Sequence, residues 1–326
     1  MPLLSETTQT KLPGDINVSK DLDRNDLGQQ WFEDGAALAD KTGRTRREFL
    51  RNTSAIGLLS GFALAAQPVQ AQSVISTDFE GIEGKEVRIS EGGVDLFAYV
   101  ATPKQFTIKL PVIIVASEIF GVHEHIADVA RRFAKLGYMA IAPEFFTRAG
   151  DPSSLGTVAE IISQIISKTP DAQVMGDIKA SLAWAAKNGA DLERVGVTGF
   201  CWGGRITWLA CAQIPEIKAG VAWYGRLVGE KSDSFPLHPV ELAAQLKAPV
   251  LGLYAGQDTG IALDTVQQME KALADAKSNP AAAASRFIIY PDAPHAFHAD
   301  YRPSYREKEA KDAWDKCLAW FKQHSV

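Results

Sequence analysis

The stretch Gly199-Phe200-Cys201-Trp202-Gly203-Gly204 decides how this chain folds. It follows residues 194–198, Arg-Val-Gly-Val-Thr, which read as a strand, and it precedes an apolar run that predicts a helix from about Gly204. Glycines two places before and two places after a lone thiol are what a sharp strand-to-helix turn needs, because a Cβ at either place would clash as the backbone reverses. Such a turn pushes the central side chain out at the strand's C-terminal end. It also sets that side chain at a helix N-terminus, where unpaired N–H groups and the helix dipole favour a thiolate and a developing oxyanion. Cys201 thus reads as a nucleophile, although in isolation the motif fits a small buried cysteine in a glycine-rich turn equally well.

Two downstream loops add to the first reading. The apolar run 249–255 ends in Gly256-Gln257-Asp258, and the run 286–290 is followed by Asp292-Ala293-Pro294-His295-Ala296-Phe297. A nucleophile, then an acid, then a histidine, each after a strand, is the chain order of the α/β-hydrolase triad. The chemistry asks for that set: histidine takes the proton, and the carboxylate fixes the tautomer and stabilises the imidazolium. Alone, Asp258 is an ordinary turn residue and His295 an ordinary loop residue; the order of the three argues for Cys201, His295 and Asp258 as a unit.

The rest of the chain repeats the strand and helix alternation. Residues 86–90 and 94–101 predict a hairpin around Glu91-Gly92-Gly93, and residues 111–116 form a continuous apolar run of the kind found in sheets covered on both faces. Helices are predicted over 126–136, 155–167, 172–187, 264–276 and 305–324, and further strands over 139–142 and 218–223. The fold class is therefore α/β, a mostly parallel central sheet with helices on both faces, as one domain from residue 72 to 326. Residues 232–239, with Pro236 and Pro239, read as a loop that either overlies the site or merely connects.

Composition narrows the partners. The chain has 326 residues, 46% of them hydrophobic, with a net charge of −5 and a pI of about 5.7. That balance gives no electrostatic footprint for nucleic acid and points to a small-molecule substrate. Residues 1–41 are polar and without sustained apolar period. Thr45-Arg46-Arg47-Glu48-Phe49-Leu50-Arg51 then precedes an apolar run over 54–66, and Val69-Gln70-Ala71 offers a small-residue cleavage site. This is the layout of a signal peptide, and its paired arginines resemble a twin-arginine export signal, which predicts the twin-arginine machinery as a partner, cleavage after Ala71 and a periplasmic location. The apolar run falls short of the roughly 20 residues that span a bilayer. The three cysteines, Cys201, Cys211 and Cys317, make no disulfide framework or zinc site, though pairing of two of them stays open. His123 and His125, two apart without a third ligand, are a weak metal signal, so no metal and no cofactor are expected.

With these pieces in view, the chain resembles the dienelactone hydrolase family, the cysteine branch of the α/β-hydrolases, from about Lys85 to Phe321. The resemblance rests on Ser117-Glu118-Ile119-Phe120-Gly121, Ala142-Pro143-Glu144-Phe145-Phe146, Gly199-Phe200-Cys201-Trp202-Gly203-Gly204, Gly256-Gln257-Asp258 and Pro294-His295-Ala296-Phe297. It implies hydrolysis of an activated ester, an enol-lactone above all, through a thioester on Cys201, with a broader esterase or thioesterase as the alternative. The oxyanion would be held by the N–H groups of Ile119 and Trp202. The glutamate matching Glu118 holds the family's cysteine as a neutral thiol until substrate binds; otherwise Glu118 reads as a helix cap. The family's substrates carry a carboxylate, which implies an arginine clamp. Ala299 stands four residues after His295, where the family has its arginine, so the candidates are Arg302 and Arg148, each of which also reads as a solvated surface charge. Trp202, Trp223, Tyr224 and Tyr301 are candidates for lining an apolar pocket, and His298 for a polar position in it.

Overall fold

The computed structural model describes residues 75–326. The leader, its arginine pair and the cleavage site expected after Ala71 lie outside the described residues. The strands are β1 (Ile82–Glu91), β2 (Val94–Pro103), β3 (Leu110–Ala116), β4 (Met139–Pro143), β5 (Ala190–Phe200), β6 (Ile217–Trp223), β7 (Val250–Ala255) and β8 (Arg286–Tyr290). They form one sheet in the order β1-β2-β4-β3-β5-β6-β7-β8. β1 pairs antiparallel with β2, and β2 antiparallel with β4. From β4 onward every pairing is parallel. Glu91 faces Val94 across a two-residue turn in which Gly92 and Gly93 both have positive φ, which the twist of a tight hairpin demands.

Among the described residues, eight helices cover the sheet: α1 (Glu124–Lys135), α2 (Val158–Gln164), α3 (Asp171–Lys187), α4 (Trp202–Gln213), α5 (Pro239–Leu242), α6 (Leu263–Asp275), α7 (Pro280–Ala284) and α8 (Glu307–Gln323). Side chains alternate along a strand, so β3 sends Val112, Ile114 and Ala116 into one hydrophobic cluster and Ile113 and Val115 into the other. The first cluster takes Val174, Met175 and Ile178 of α3, Ile206 and Leu209 of α4 and Val266 and Met269 of α6. The second takes Ile126, Val129 and Phe133 of α1 and Cys317, Trp320 and Phe321 of α8. Each large apolar side chain buried this way stabilises the fold by about 1.5–3 kcal/mol, and the two-sided covering is why β3 and β7 read as unbroken apolar runs.

The helix expected over 155–167 is a correction. Thr157 and Glu160 form a reciprocal capping box that starts α2 at Val158. After Gln164 the chain departs at Ile165 and finishes as a 3₁₀ turn over Ile166–Lys168. The local capping bonds and the approaching Pro170, which opens α3, win over the apolar period. The loop before α5 is tied down through His238, whose ring meets Arg205 Nε at 3.4 Å and the Glu230 carbonyl at 2.9 Å.

In a parallel sheet, ligands bind beyond the carboxyl ends of the strands. Residues 117–121, Cys201, Tyr224, Asp258 and His295 follow β3, β5, β6, β7 and β8 in turn, so topology alone collects them at one edge.

Candidate active site

Cys201 closes the β5-to-α4 turn with φ 54° and ψ −113°, a conformation that a non-glycine residue holds only when its surroundings enforce it. The surroundings are backbone. A Cβ on Gly199 would run into the carbonyl of Gly203, and one on Gly203 would sit 2.6 Å from the Ser117 carbonyl oxygen. A Cβ on Gly204 would meet the Trp223 carbonyl oxygen at 2.5 Å. The Cys201 N–H donates to Trp223 O (3.0 Å), while its own carbonyl accepts from Gly204 N (3.0 Å). Trp202 is the first residue of α4, where a backbone N–H has no acceptor within the helix. Ile119 lies in a turn closed by the Gly121 N–H on the Glu118 carbonyl at 3.2 Å, and that turn abuts the elbow.

Asp258 and His295 meet from neighbouring loops. The loops are stitched together by Gly256 N to Tyr290 O (2.8 Å) and Gln257 N to Ala293 O (3.0 Å). Asp258 Oδ1 accepts from the N–H groups of Gly260 (2.9 Å) and Ile261 (3.0 Å), which leaves Oδ2 for His295 Nδ1 at 2.6 Å. A carboxylate only accepts, so Nδ1 carries the proton and Nε2 is directed to Cys201, with which His295 also hydrogen-bonds. Burial pushes the imidazole down, but the charge of Asp258, then that of Cys201 and their hydrogen bonds outweigh it, and His295 is held well above the usual histidine range. The next residue, Ala296, has φ 58°, a second enforced backbone at this edge.

Glu118 is 1% exposed. Burial would raise its carboxyl, yet the charge and hydrogen bond of His123, with Arg302 and His125 behind, hold it down at about 2. Oε2 is 3.0 Å from His123 Nε2, and the Tyr301 hydroxyl lies 3.5 Å from Oε1. Arg302 is buried, not solvated: its guanidinium lies over the rings of Phe120 (5.0 Å) and Tyr301 (5.1 Å), and Nε donates to Tyr301 Oη at 2.8 Å. Arg148 is placed differently. It pairs with Asp177 of α3, and its charge acts on Asp177 and Asp95, neither of them a residue of this group.

The aromatic expectations divide. Trp202 is 9% exposed, rests on Phe145 and Phe146, and its indole N–H has no hydrogen-bond partner. Trp223 is core, its Nε1 donating to Thr198 Oγ1 at 3.0 Å. His298 is core as well, 4.5 Å from the Trp223 ring, and burial holds it well below the usual histidine range, hence neutral. Tyr224 is fully buried against the His295 ring (5.0 Å), has φ 37°, and its hydroxyl has no partner.

Two things were missed from sequence. The first is the tie of His123 to Glu118; the only signal was a histidine where a helix cap residue belongs. The second is the brace behind it, in which His125 Nδ1 meets Asp300 Oδ1 at 3.2 Å and Arg132 holds Asp300 Oδ2 at 2.6 Å. Among the described residues no group of three or more His, Cys, Asp or Glu side chains is disposed to hold a metal ion. Cys201, Cys211 and Cys317 are all free thiols. Cys211 occupies the space that Gly220 leaves open, and burial pushes the Cys211 and Cys317 thiols up beyond any reactive range.

Residues 96–325 match the family described as the dienelactone hydrolase family. A Methylorubrum extorquens protein named "Putative carboxymethylenebutenolidase" is 51% identical over 291 residues, 89% of this chain and 97% of that one. A Bradyrhizobium protein named "Probable 2-oxo-3-(5-oxofuran-2-ylidene)propanoate lactonase" is 30% identical over 73% of this chain and 93% of its own. Among solved structures, one from Klebsiella pneumoniae described as "Putative Dienelactone Hydrolase" superposes with a TM-score of 0.72 at 51% identity, covering 74% of this chain and 99% of that one.

Proposed function

This chain belongs to the dienelactone hydrolase family and is a carboxylic-ester or lactone hydrolase, and from that premise we propose that it opens enol-lactones through a thioester on Cys201. The observation that carries the reading is the line from Asp258 through His295 to Cys201 at the carboxyl edge of the sheet, with His295 bonded to both neighbours. With its proton already held on His295 Nε2, Cys201 Sγ attacks the lactone carbonyl as a thiolate. The N–H groups of Ile119 and Trp202 hold the oxyanion. The ring C–O bond breaks, the enolate leaves with the proton from His295, and an acyl thioester stays on Cys201. Water attacks that thioester, gives its proton to His295, and the thiol returns. A thiolate suits a good leaving group such as an enolate. The compound in the lactonase relative's name is an enol-lactone with a carboxylate, which supports both the substrate class and Arg302 as the group that meets its charge.

A second reading has its own observation. Arg302 is already engaged by Tyr301 and lies within the field of Glu118, so its charge is partly answered before any substrate arrives. That favours a broader esterase or thioesterase acting on uncharged acyl groups. The test is the rate of dienelactone opening, followed by loss of its ultraviolet absorbance, beside a panel of uncharged esters and thioesters. Turnover of dienelactone lost in Cys201→Ala supports the first reading; preference for the uncharged panel supports the second; equal rates for wild type and Cys201→Ala reject both. Export by the twin-arginine route is part of the same proposal, and Arg46→Lys with Arg47→Lys should keep the protein out of the periplasmic fraction.

A further inference from the structure

Glu118 poses a physical problem that the triad does not solve. A carboxyl with almost no water contact takes up a proton unless a donor or a positive charge opposes it, and here the first opposing influence is His123. The contact is short, 3.0 Å, whereas the Tyr301 hydroxyl stands at 3.5 Å and is engaged by Arg302. Because an ionised carboxylate only accepts, His123 Nε2 carries the proton and donates it.

The ring is aimed at Glu118 at the expense of another task. His123 is the N-cap residue of α1, where Ser, Thr, Asp or Asn would satisfy an open helix N–H, yet its side chain makes no capping bond. The backbone fixes it instead, with its N–H on the Gly121 carbonyl (3.1 Å) and its carbonyl accepting from Ala127 (3.0 Å). Tyr301 meets the ring edge-on at 5.2 Å, and His125 stacks beside it at 6.1 Å, itself anchored on Asp300 and Arg132. The charged and titratable groups that face Glu118 are therefore His123 at the N-cap of α1 and His125 within it, His298, Tyr301 and Arg302 from the loop before α8, and Tyr224 just after β6.

We propose that His123 is a positioning residue for the nucleophile that acts through Glu118, keeping this carboxyl ionised and held beside the elbow through the Nε2 hydrogen bond. The inference rests on the reading of Cys201 given above. Glu118 follows Ser117, whose carbonyl faces Gly203 of the elbow, and Glu118 and Cys201 both act on the Tyr224 hydroxyl; without the donor, Glu118 loses its strongest stabilising partner and takes up a proton, and that negative charge near the thiol disappears.

The test reads the thiol directly and does not need an ester substrate. Carbamidomethylation of Cys201 by iodoacetamide at pH 7, followed by the mass of the Cys201 peptide, is measured in wild type, His123→Ala, His123→Gln, Glu118→Gln and the His123→Ala/Glu118→Gln pair. Loss of a neighbouring negative charge should raise the rate at least about fivefold in His123→Ala and in Glu118→Gln. His123→Gln, whose amide N–H replaces Nε2–H, should stay within about twofold of wild type, and the pair should react no faster than Glu118→Gln alone. A rate in His123→Ala equal to wild type, or the same acceleration when Glu118 is already glutamine, overturns the proposal. Should His123→Ala not fold, His123→Asn, too short to reach Glu118, takes its place in the same cycle. Ester turnover insensitive to Cys201→Ala would sink the hydrolytic reading alone, since the coupling between His123 and Glu118 is read independently of it.

Discussion

Arg205 with Asp171 and Glu118 with His123 are two buried polar groups made in opposite ways. Arg205 and Asp171 are 6% and 7% exposed, and the guanidinium meets both carboxylate oxygens at 2.6 and 2.8 Å. The Leu237 carbonyl and His238 take two of its other donors at 2.8 and 3.4 Å. Four of the five guanidinium N–H donors and both carboxylate oxygens are engaged inside the fold. Around Glu118 the balance is looser: Ser117 Oγ, Trp202 Nε1 and Tyr224 Oη are buried without a hydrogen-bond partner. Buried polar atoms are normally paired, so a saturated pair fastens the fold, while open donors beside a thiol await a partner that the fold does not supply.

The largest expected effect lies on the loose side. His295→Ala should cost about 10³–10⁴ in ester turnover while the melting temperature stays within a few degrees. A large loss of stability would make His295 part of the frame instead. Next comes the saturated side, where Arg205→Ala strands a buried aspartate and should lower unfolding free energy by about 3–5 kcal/mol in urea titration. The fraction that stays folded should keep its kcat; a specific loss of kcat would erase the contrast between the two pairs. Smaller still, Tyr224→Phe removes a hydroxyl that makes no bond, so stability should hold or rise by up to about 1 kcal/mol while kcat/KM falls several-fold. Destabilisation there would mean that the hydroxyl is already satisfied.

The smallest effect concerns Arg148 and Asp177. Burial pushes the Asp177 carboxyl up to about 6 from its ordinary 3.8, with Arg148 opposing the shift. Between these values the folded chain keeps a proton that the unfolded chain has released, so wild-type stability falls as pH rises through that window. Asp177→Asn does not titrate. Its melting temperature relative to wild type should therefore climb from pH 4 to pH 6 and level off above, and a flat difference would contradict the raised value.

What the chain revealed in advance follows from sequence distance. Cys201, Asp258 and His295 each sit in a few contiguous residues at a strand end, so local turn chemistry and chain order sufficed to single them out as candidates. The sheet was legible for the same reason, since an apolar run such as β3 announces burial on both faces. The surroundings of Glu118 were not legible. His125 and Asp300 are 175 residues apart, Tyr301 and Glu118 are 183 apart, and nothing local marks a charged side chain as buried. Arg302 looked like a surface charge because arginine usually is one; its burial over Phe120 and Tyr301 is a tertiary fact. The broken helix around α2 failed differently, because period outweighed a capping box that Thr157 and Glu160 display openly.

The glycines at the elbow also set what a mutagenised library of this gene can contain. At Gly199, Gly203, Gly204 and Gly225 an added Cβ meets backbone of a neighbouring segment, so no rotamer can make room. Every missense change at those four codons adds at least that atom. Clones sorted for folded protein should therefore be depleted there whatever enzymatic selection is applied. Gly176, inside α3 with nothing within 4 Å, should by contrast drift freely toward alanine and gain from it about 1 kcal/mol of helix propensity. A sorted library would thus draw the outline of the β5-to-α4 turn from dropout frequencies alone, before any substrate is known.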